Sequence, residues 1–167
     1  MIFKQVFDKK SSTYTYVIAS AKGREAVIID PVLENVNNYI DLLKELDLKL
    51  VKVIDTHIHA DHITGASKLK QTTNCSTIMG EHSPANTVEI KVKDEEIIDI
   101  DQLKIKAIYT PGHTSDSYSF LMNNYLFSGD TLLINATGRT DFQNGNSKDA
   151  YDSIFNRLLK LPEDTIL

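Results

Sequence analysis

The stretch that decides the fold is DTHIHADHITG, residues 55–65. It follows directly on Leu50–Ile54, a short apolar segment with the composition of a buried strand. Side chains alternate between the faces of a strand, so a strand that continues into this stretch places His57 and His59 on one face. Imidazole and carboxylate groups are ligands for divalent zinc, iron or manganese. The stretch therefore predicts a metal site, and histidines in an ordinary surface loop are the alternative.

The other candidate ligands lie near the end of this stretch and at two further places in the chain. A helix predicted to begin near Asp61 and His62 turns both side chains back toward the two histidines. His113 follows a predicted strand in the sequence TPGHT, and Asp130 follows another in FSGD. A hairpin turn predicted at Asn123-Asn124 joins neighbouring strands, so we expect His113 and Asp130 to meet at one sheet edge.

The composition predicts one globular domain over residues 1–167. The net charge is −5, 41% of the residues are hydrophobic and 25% are charged. These values are ordinary for folded proteins and give no electrostatic footprint for nucleic acid or an anionic membrane face. No apolar run exceeds four residues, and no basic and apolar leader begins the chain, so we expect no membrane span and no signal peptide.

The single cysteine, Cys75, excludes an internal disulfide and fits a reducing compartment. We therefore expect a cytoplasmic protein, or a mitochondrial matrix protein if the source is eukaryotic. Cys75 and His82 are interpreted as structural residues, since neither lies in a cluster of candidate ligands.

Local patterns predict an α/β (α+β) fold in which strands dominate. The predicted helices span about 34–46, about 61–70, and a closing segment capped by Ser147 and stopped at Pro162. A long loop is predicted over 129–145. The predicted strands are Ile2–Phe7, Thr13–Ala19, Glu25–Ile29, Leu50–Ile54, Thr77–Met79, Thr87–Val92, Leu103–Tyr109, Ser117–Met122 and Tyr125–Phe127.

Together the histidine stretch, TPGHT and FSGD resemble the metallo-β-lactamase superfamily, in its order and over nearly the whole chain. The resemblance implies an αββα sandwich with the metal at the sheet edge. It also implies one more strand beyond Leu167, carrying a histidine and a tyrosine. We therefore expect a domain truncated at its C-terminus, without the usual final strand and helix, whose open sheet edge favours a homodimer.

Residues 55–65 and the hexapeptide GRTDFQ, residues 138–143, are similar to the persulfide dioxygenase branch of that superfamily. This resemblance implies one Fe(II) per chain, held by His57, His113 and Asp130, that oxidises a thiol persulfide with dioxygen to sulfite and thiol. Glutathione persulfide is the expected substrate. The remaining groups of the stretch then serve catalysis by holding ligands and water through hydrogen bonds; they are His59, Asp61 and His62.

Two other functions share the same metal motif. A glyoxalase II-like thioester hydrolase would use zinc and take those remaining groups as ligands, and a truncated remnant would bind metal with little activity. Arg139 is the candidate for the carboxylate of the substrate, and a loop-fixing pair with Asp141 is its alternative. Asp116 stands where the resembling family usually has glycine, which predicts a left-handed backbone there and a negative charge near the metal.

Overall fold

Two β-sheets lie at the centre of the computed structural model, which describes residues 1–167. The first sheet has the order β1-β2-β3-β4-β5-β6 and the second the order β10-β9-β8-β7. The strands of the first are β1 (Ile2–Asp8), β2 (Thr13–Ala19), β3 (Glu25–Ile29), β4 (Lys49–Ile54), β5 (Ser76–Gly80) and β6 (Ile90–Val92). Those of the second are β7 (Ile97–Ile100), β8 (Leu103–Tyr109), β9 (Tyr118–Met122) and β10 (Tyr125–Phe127).

Helices cover the outer face of each sheet. A short 3₁₀ turn (Leu33–Asn35) leads into α1 (Val36–Glu45), and α2 (Ala66–Thr73) follows β4. The closing helix α3 (Ser147–Tyr151) continues as a π-helical segment (Asp152–Arg157) and a 3₁₀ turn (Leu158–Lys160). None of the helices is long and apolar enough to cross a membrane.

Three apolar clusters hold these layers together. The largest lies between the two sheets and includes Ile54 from the first sheet and Phe120 from the second, both fully buried. Another packs the first sheet against α1 and α2, and the smallest packs the second sheet against Leu158 of the closing helix. The layer order is therefore helix, sheet, sheet, helix, which confirms the predicted αββα sandwich.

The pairing of the strands brings the candidate ligands to one edge. Strands β3 to β6 are parallel, so β3 and β4 end side by side and deliver Asp30 and the stretch that starts at Asp55. Strands β8, β9 and β10 are antiparallel neighbours. The amide of Tyr118 at the start of β9 donates to the carbonyl of Thr56 over 2.9 Å. This hydrogen bond joins the two sheets next to the histidine stretch.

Several predicted boundaries are wrong. The second helix begins at Ala66 instead of Asp61, because Thr64 Oγ1 donates to the Asp55 carboxylate and accepts the Ala66 amide, which keeps the preceding residues in a loop. His57 and His59 also lie in this loop, since β4 ends at Ile54.

Other differences concern the second half of the chain. Strand β6 is shorter than predicted and β7 was not predicted. The side chain of Asn146 caps α3 in place of Ser147, because its oxygen accepts the amides of Lys148 and Asp149. Cys75 is buried between the first sheet and its helices, and His82 stacks on a tyrosine ring, so their interpretation as structural residues stays a prediction.

Tyr39 ties α1 to the end of β3, and its removal tests this packing. Its buried hydroxyl accepts the Val32 amide over 3.2 Å and donates to Thr15 Oγ1 over 2.9 Å. We expect Tyr39→Phe to lower the free energy of unfolding by about 1–3 kcal/mol, because the Val32 amide loses its partner. Tyr14→Phe, at a half-exposed ring, is the control and should change it by less than about 0.5 kcal/mol. Equal effects in chemical denaturation would contradict the assignment.

Candidate metal centre

His57, His113 and Asp130 each offer one ligand atom, and these three atoms lie within 4.8 Å of one another. Nε2 of His113 is 3.5 Å from Oδ2 of Asp130. The rings of His57 and His113 are almost perpendicular, with centroids 5.0 Å apart. Both histidines are buried, and Asp130 is partly exposed at the edge of a cleft. The three donors therefore converge closely enough to hold a single metal ion.

The surroundings of His57 leave one ring nitrogen free for a metal. Thr56 Oγ1 donates its hydrogen to Asp30 over 2.9 Å, so it accepts from Nδ1–H of His57, also at 2.9 Å. Nε2 of His57 is buried and has no hydrogen-bond partner. Burial, together with His59 and His113, lowers the pKa of His57 to about 3. A neutral imidazole with an unpartnered buried nitrogen is what a metal ligand requires.

His113 is oriented in the same way by a different loop. Its Nδ1 donates to the carbonyl of Arg139 over 2.8 Å, which leaves Nε2 directed toward Asp130. Burial raises the pKa of Asp130, and His113 opposes that shift. A cation bound between these two side chains would compensate the charge of the partly desolvated carboxylate.

Asp30 connects the first of these ligands to the sheet. It ends β3 with a left-handed backbone (φ 50°) and is buried. Its carboxylate accepts the amide of Thr56 over 2.7 Å, the hydroxyl of Thr56, and Nε2 of His59 over 3.1 Å. Burial raises the pKa of Asp30, but the histidines and the Thr56 amide outweigh it, so the pKa is lowered.

His59 consequently has only Nδ1 left for the site. Burial lowers its pKa, but the carboxylates of Asp30, Asp55 and Asp61 outweigh that effect and raise it to about 9. Asp55 itself has its pKa raised to about 7 by burial and by Asp30. Its carboxylate accepts the Thr64 hydroxyl at 2.8 Å and fixes the far end of the histidine loop.

A second group of possible ligands is formed by His59, Asp61 and His62, whose atoms also lie within 4.8 Å of one another. Thr13 Oγ1, from the start of β2, donates to Asp61 over 3.0 Å. Nδ1 of His62 is 3.2 Å from the same carboxylate, and its Nε2 is buried without a partner. This group can hold water, a substrate atom or a second ion.

The hexapeptide 138–143 packs under the triad. The amide of Gly138 donates to the carbonyl of Asp130 over 2.8 Å. A Cβ at Gly138 would lie 2.1 Å from that carbonyl oxygen and 2.8 Å from Nδ1 of His113, so only glycine fits. Nε2 of Gln143 donates to the carbonyl of Ile58 over 2.9 Å. The segment therefore supports residues from all three ligand-bearing loops.

The backbone carbonyl of Arg139 accepts Nδ1 of His113, but the side chain has a different partner. Its guanidinium binds both carboxylate oxygens of Asp141, at 2.8 and 3.0 Å, and lies over the ring of Phe142. Both members of the ion pair are exposed. This pairing is the alternative that the sequence offered, and the substrate role of Arg139 stays a prediction.

Asp116 differs from its expectation. Its backbone is not left-handed, so the predicted conformational reason for its presence is wrong. Its side chain is buried and accepts the amide of Ile58 over 3.1 Å. The residue is therefore accommodated by a specific contact with the histidine loop.

Two cavities adjoin the candidate ligands. A cleft of about 460 Å³ is lined on one side by His59, Asp61 and Asp130, and on the other by the β1–β2 turn and the apolar segment 132–134. A second cavity of about 330 Å³ lies against the histidine loop on the side of α2. The cleft is large enough for a small organic substrate.

Sequence reasoning missed Asp30, Thr56 and Gln143. The sequence did contain a signal for Asp30 and Thr56. Asp30 directly follows one apolar strand and Thr56 lies shortly after the next, and neighbouring parallel strands end at the same sheet edge. Gln143 lay inside the hexapeptide but its partner is a backbone carbonyl, which no sequence pattern identifies.

Thr56→Val tests how the Thr56 hydroxyl orients His57. Without the hydroxyl, Nδ1–H of His57 has no acceptor, so we expect zinc or iron affinity to fall about 10- to 100-fold. The measurement is a competition titration with a chelator of known affinity. Thr72→Val, in an exposed helix position, is the matched control and should leave the affinity unchanged. Wild-type affinity in Thr56→Val would contradict the orienting role.

Comparison with known proteins agrees with this architecture. The family model for the metallo-beta-lactamase superfamily matches residues 9–87 and 79–167. The mitochondrial persulfide dioxygenase ETHE1 of Mus musculus is 37% identical over 170 residues, which cover 100% of this chain and 66% of that protein. The chain thus spans about two thirds of the length of this curated relative.

Two further relatives carry the names of two different enzymes. The crystal structure of ETHE1 from Myxococcus xanthus superposes with a TM-score of 0.96 at 45% identity, over 99% of this chain and 73% of that one. Hydroxyacylglutathione hydrolase of Dictyostelium discoideum is 31% identical, over 92% of this chain and 60% of that protein. The chain therefore belongs to the metallo-beta-lactamase superfamily and within it is similar to persulfide dioxygenases.

Proposed function

We propose that this chain is an iron-dependent persulfide dioxygenase that acts on a low-molecular-weight thiol persulfide, with glutathione persulfide as the first substrate to test. The observation that carries the proposal is the ligand set of His57, His113 and Asp130. Two imidazoles and one carboxylate form the facial arrangement that suits non-haem iron(II) and leaves coordination positions open. Bound there, iron(II) would supply those positions and a path by which electrons from the persulfide reach dioxygen.

The overall reaction balances without another reductant. One persulfide, one dioxygen and one water give one thiol, one sulfite and two protons, so the outer sulfur is oxidised and dioxygen is reduced. The protein must admit water as well as the two substrates. The cleft beside Asp130 provides that access.

We propose that His59, Asp61 and His62 hold the ligands and water through hydrogen bonds. His59 and Asp61 line this cleft, and His62, whose Nδ1 is 3.2 Å from the Asp61 carboxylate, lines the second cavity. Nε2 of His59 is occupied by Asp30, and its Nδ1 remains for a contact in the site. A single ion at the triad then has a polar shell beside it.

A zinc-dependent thioester hydrolase is the second candidate. The proximity of His59, Asp61 and His62 favours it, since a second ion at that group would give a dinuclear site. The similarity to hydroxyacylglutathione hydrolase supports it as well, at lower identity and coverage than the persulfide dioxygenases. A metal-binding remnant with little activity is the third.

Oxygen uptake separates these functions. We expect protein prepared anaerobically with Fe(II) to consume dissolved oxygen and release sulfite only when glutathione persulfide is added. Asp130→Ala should abolish both signals, because it removes the one carboxylate of the triad. Thiol release from a glutathione thioester without oxygen uptake, by zinc-loaded protein, would instead establish the hydrolase. If the metal-loaded protein catalyses neither reaction, the chain is a metal-binding remnant with little activity.

Arg139 is proposed to exchange Asp141 for the carboxylate of the substrate. Because that contact is remote from the reacting sulfur, Arg139→Ala should raise KM about 10- to 100-fold with a smaller effect on kcat. Asp141→Asn is the matched variant: it frees the guanidinium and should not raise KM. An unchanged KM in Arg139→Ala would exclude the substrate contact. If the melting temperature fell at the same time, the loop-fixing pair would be established.

A further inference from the structure

Ile58, the residue between His57 and His59, has both of its backbone polar groups held by side chains from other loops. Its amide donates to Oδ2 of Asp116 over 3.1 Å, and its carbonyl accepts Nε2 of Gln143 over 2.9 Å. Neither contact belongs to the regular hydrogen bonding of a strand or helix, since β4 has already ended.

The two side chains come from the two loops that carry the other candidate ligands. Asp116 is three residues beyond His113, in the connection between β8 and β9, and Gln143 follows Asp130 in the segment after β10. Each of these loops therefore reaches across to the same residue of the histidine loop. The three ligand-bearing loops are linked through Ile58 without any metal ion.

Asp116 has no evident role within its own loop. That loop is closed by Thr114 and Ser117, whose hydroxyl oxygens are 2.7 Å apart, and by the Tyr109 hydroxyl, which donates to the Ser115 carbonyl. Asp116 is only 4% exposed. The basic group that acts on its charge is Lys91, whose Nζ donates to the carbonyl of Ser83 over 2.6 Å. The contact with the Ile58 amide is thus the hydrogen bond that this buried carboxylate makes.

We propose that Asp116 and Gln143 are positioning residues that grip Ile58 from both sides and thereby fix His57 relative to His113 and Asp130. A hydrogen bond from an amide to a carboxylate is stronger than one between neutral groups, so Asp116 contributes most of this constraint. Metal sites need their ligands placed within about 0.5 Å, which a free loop does not provide. The inference rests on the proposed metal site.

The test compares Asp116→Gly, which removes the acceptor, with Asp116→Asn, which retains an oxygen of the same reach. Hydrogen exchange at the Ile58 amide, followed by NMR in the metal-free protein, measures how firmly this amide is held by Asp116. We expect exchange to accelerate at least about tenfold in Asp116→Gly and by a smaller factor in Asp116→Asn, whose neutral oxygen still accepts the amide. Asp41→Asn, at an exposed position on α1, controls for the loss of one negative charge.

Cobalt(II) binding then shows how the two contacts with Ile58 affect the geometry of the metal ligands. We expect Asp116→Gly to bind cobalt(II) about 10- to 100-fold more weakly and, when saturated, to show a shifted visible spectrum, because the ligand geometry has changed. A purely structural role would lower the melting temperature and leave the spectrum of the saturated protein unchanged. Gln143→Met should change the spectrum in the same direction, and the double variant should show less than the sum of the two effects, since both bonds hold one residue.

The outcomes separate this inference from the proposed metal site. Unchanged cobalt(II) affinity and spectrum in Asp116→Gly would overturn the positioning role. Failure of the wild-type protein to bind cobalt(II) would overturn the metal site, whereas the exchange rate at Ile58 would still test the grip. If Asp116→Gly does not fold, Gln143→Met carries the same test, and a wild-type spectrum in that variant would also overturn the proposal.

Discussion

The carboxylate of Asp30 is the group on which the geometry of the candidate centre depends. It directly follows β3 with a left-handed backbone, which costs free energy, and it is buried, which costs more unless the carboxylate is well satisfied. Its partners are the amide and hydroxyl of Thr56 and Nε2 of His59. One buried charge thus fixes the start of the histidine loop and the orientation of two imidazoles.

The other groups of the centre are also oriented by hydrogen bonds within the protein. Each candidate histidine ligand has its Nδ1–H bound to an oxygen, from the Thr56 side chain for His57 and from the Arg139 carbonyl for His113, so both offer Nε2. The two sheets are joined beside them by the bond from Tyr118 to Thr56. The ligand geometry is therefore built from contacts that exist in the protein itself, which is the property expected of a preorganised metal site.

Residue patterns predicted a fold rich in strands and the convergence of the candidate ligands, whereas the αββα order was implied by the resemblance to the superfamily. Apolar strands followed at once by histidine or aspartate are local patterns, and parallel strand ends must share an edge. The parts that were wrong or missed depend on contacts between distant residues. Thr64 delays the start of α2 by binding Asp55, and Gln143 acts on a backbone carbonyl 85 positions away. Local periodicity contains no information about either contact.

The hexapeptide 138–143 also has one property that the sequence predicted and one that only the structure shows. Its sequence indicated a branch of the superfamily, and the structure shows a physical role for it: Gly138 and the carbonyl of Arg139 support Asp130 and His113. A motif can therefore be diagnostic through its backbone. The exposed pair of Arg139 and Asp141 is a separate feature of the same segment.

The central claim is that one iron ion is held by His57, His113 and Asp130. Anomalous diffraction at the iron and zinc edges, from crystals of protein prepared anaerobically, tests it directly. We expect a single iron peak within coordination distance of Nε2 of both histidines and of the Asp130 carboxylate. A second metal peak at His59, Asp61 and His62, or a peak at the triad that follows the zinc edge alone, would contradict it.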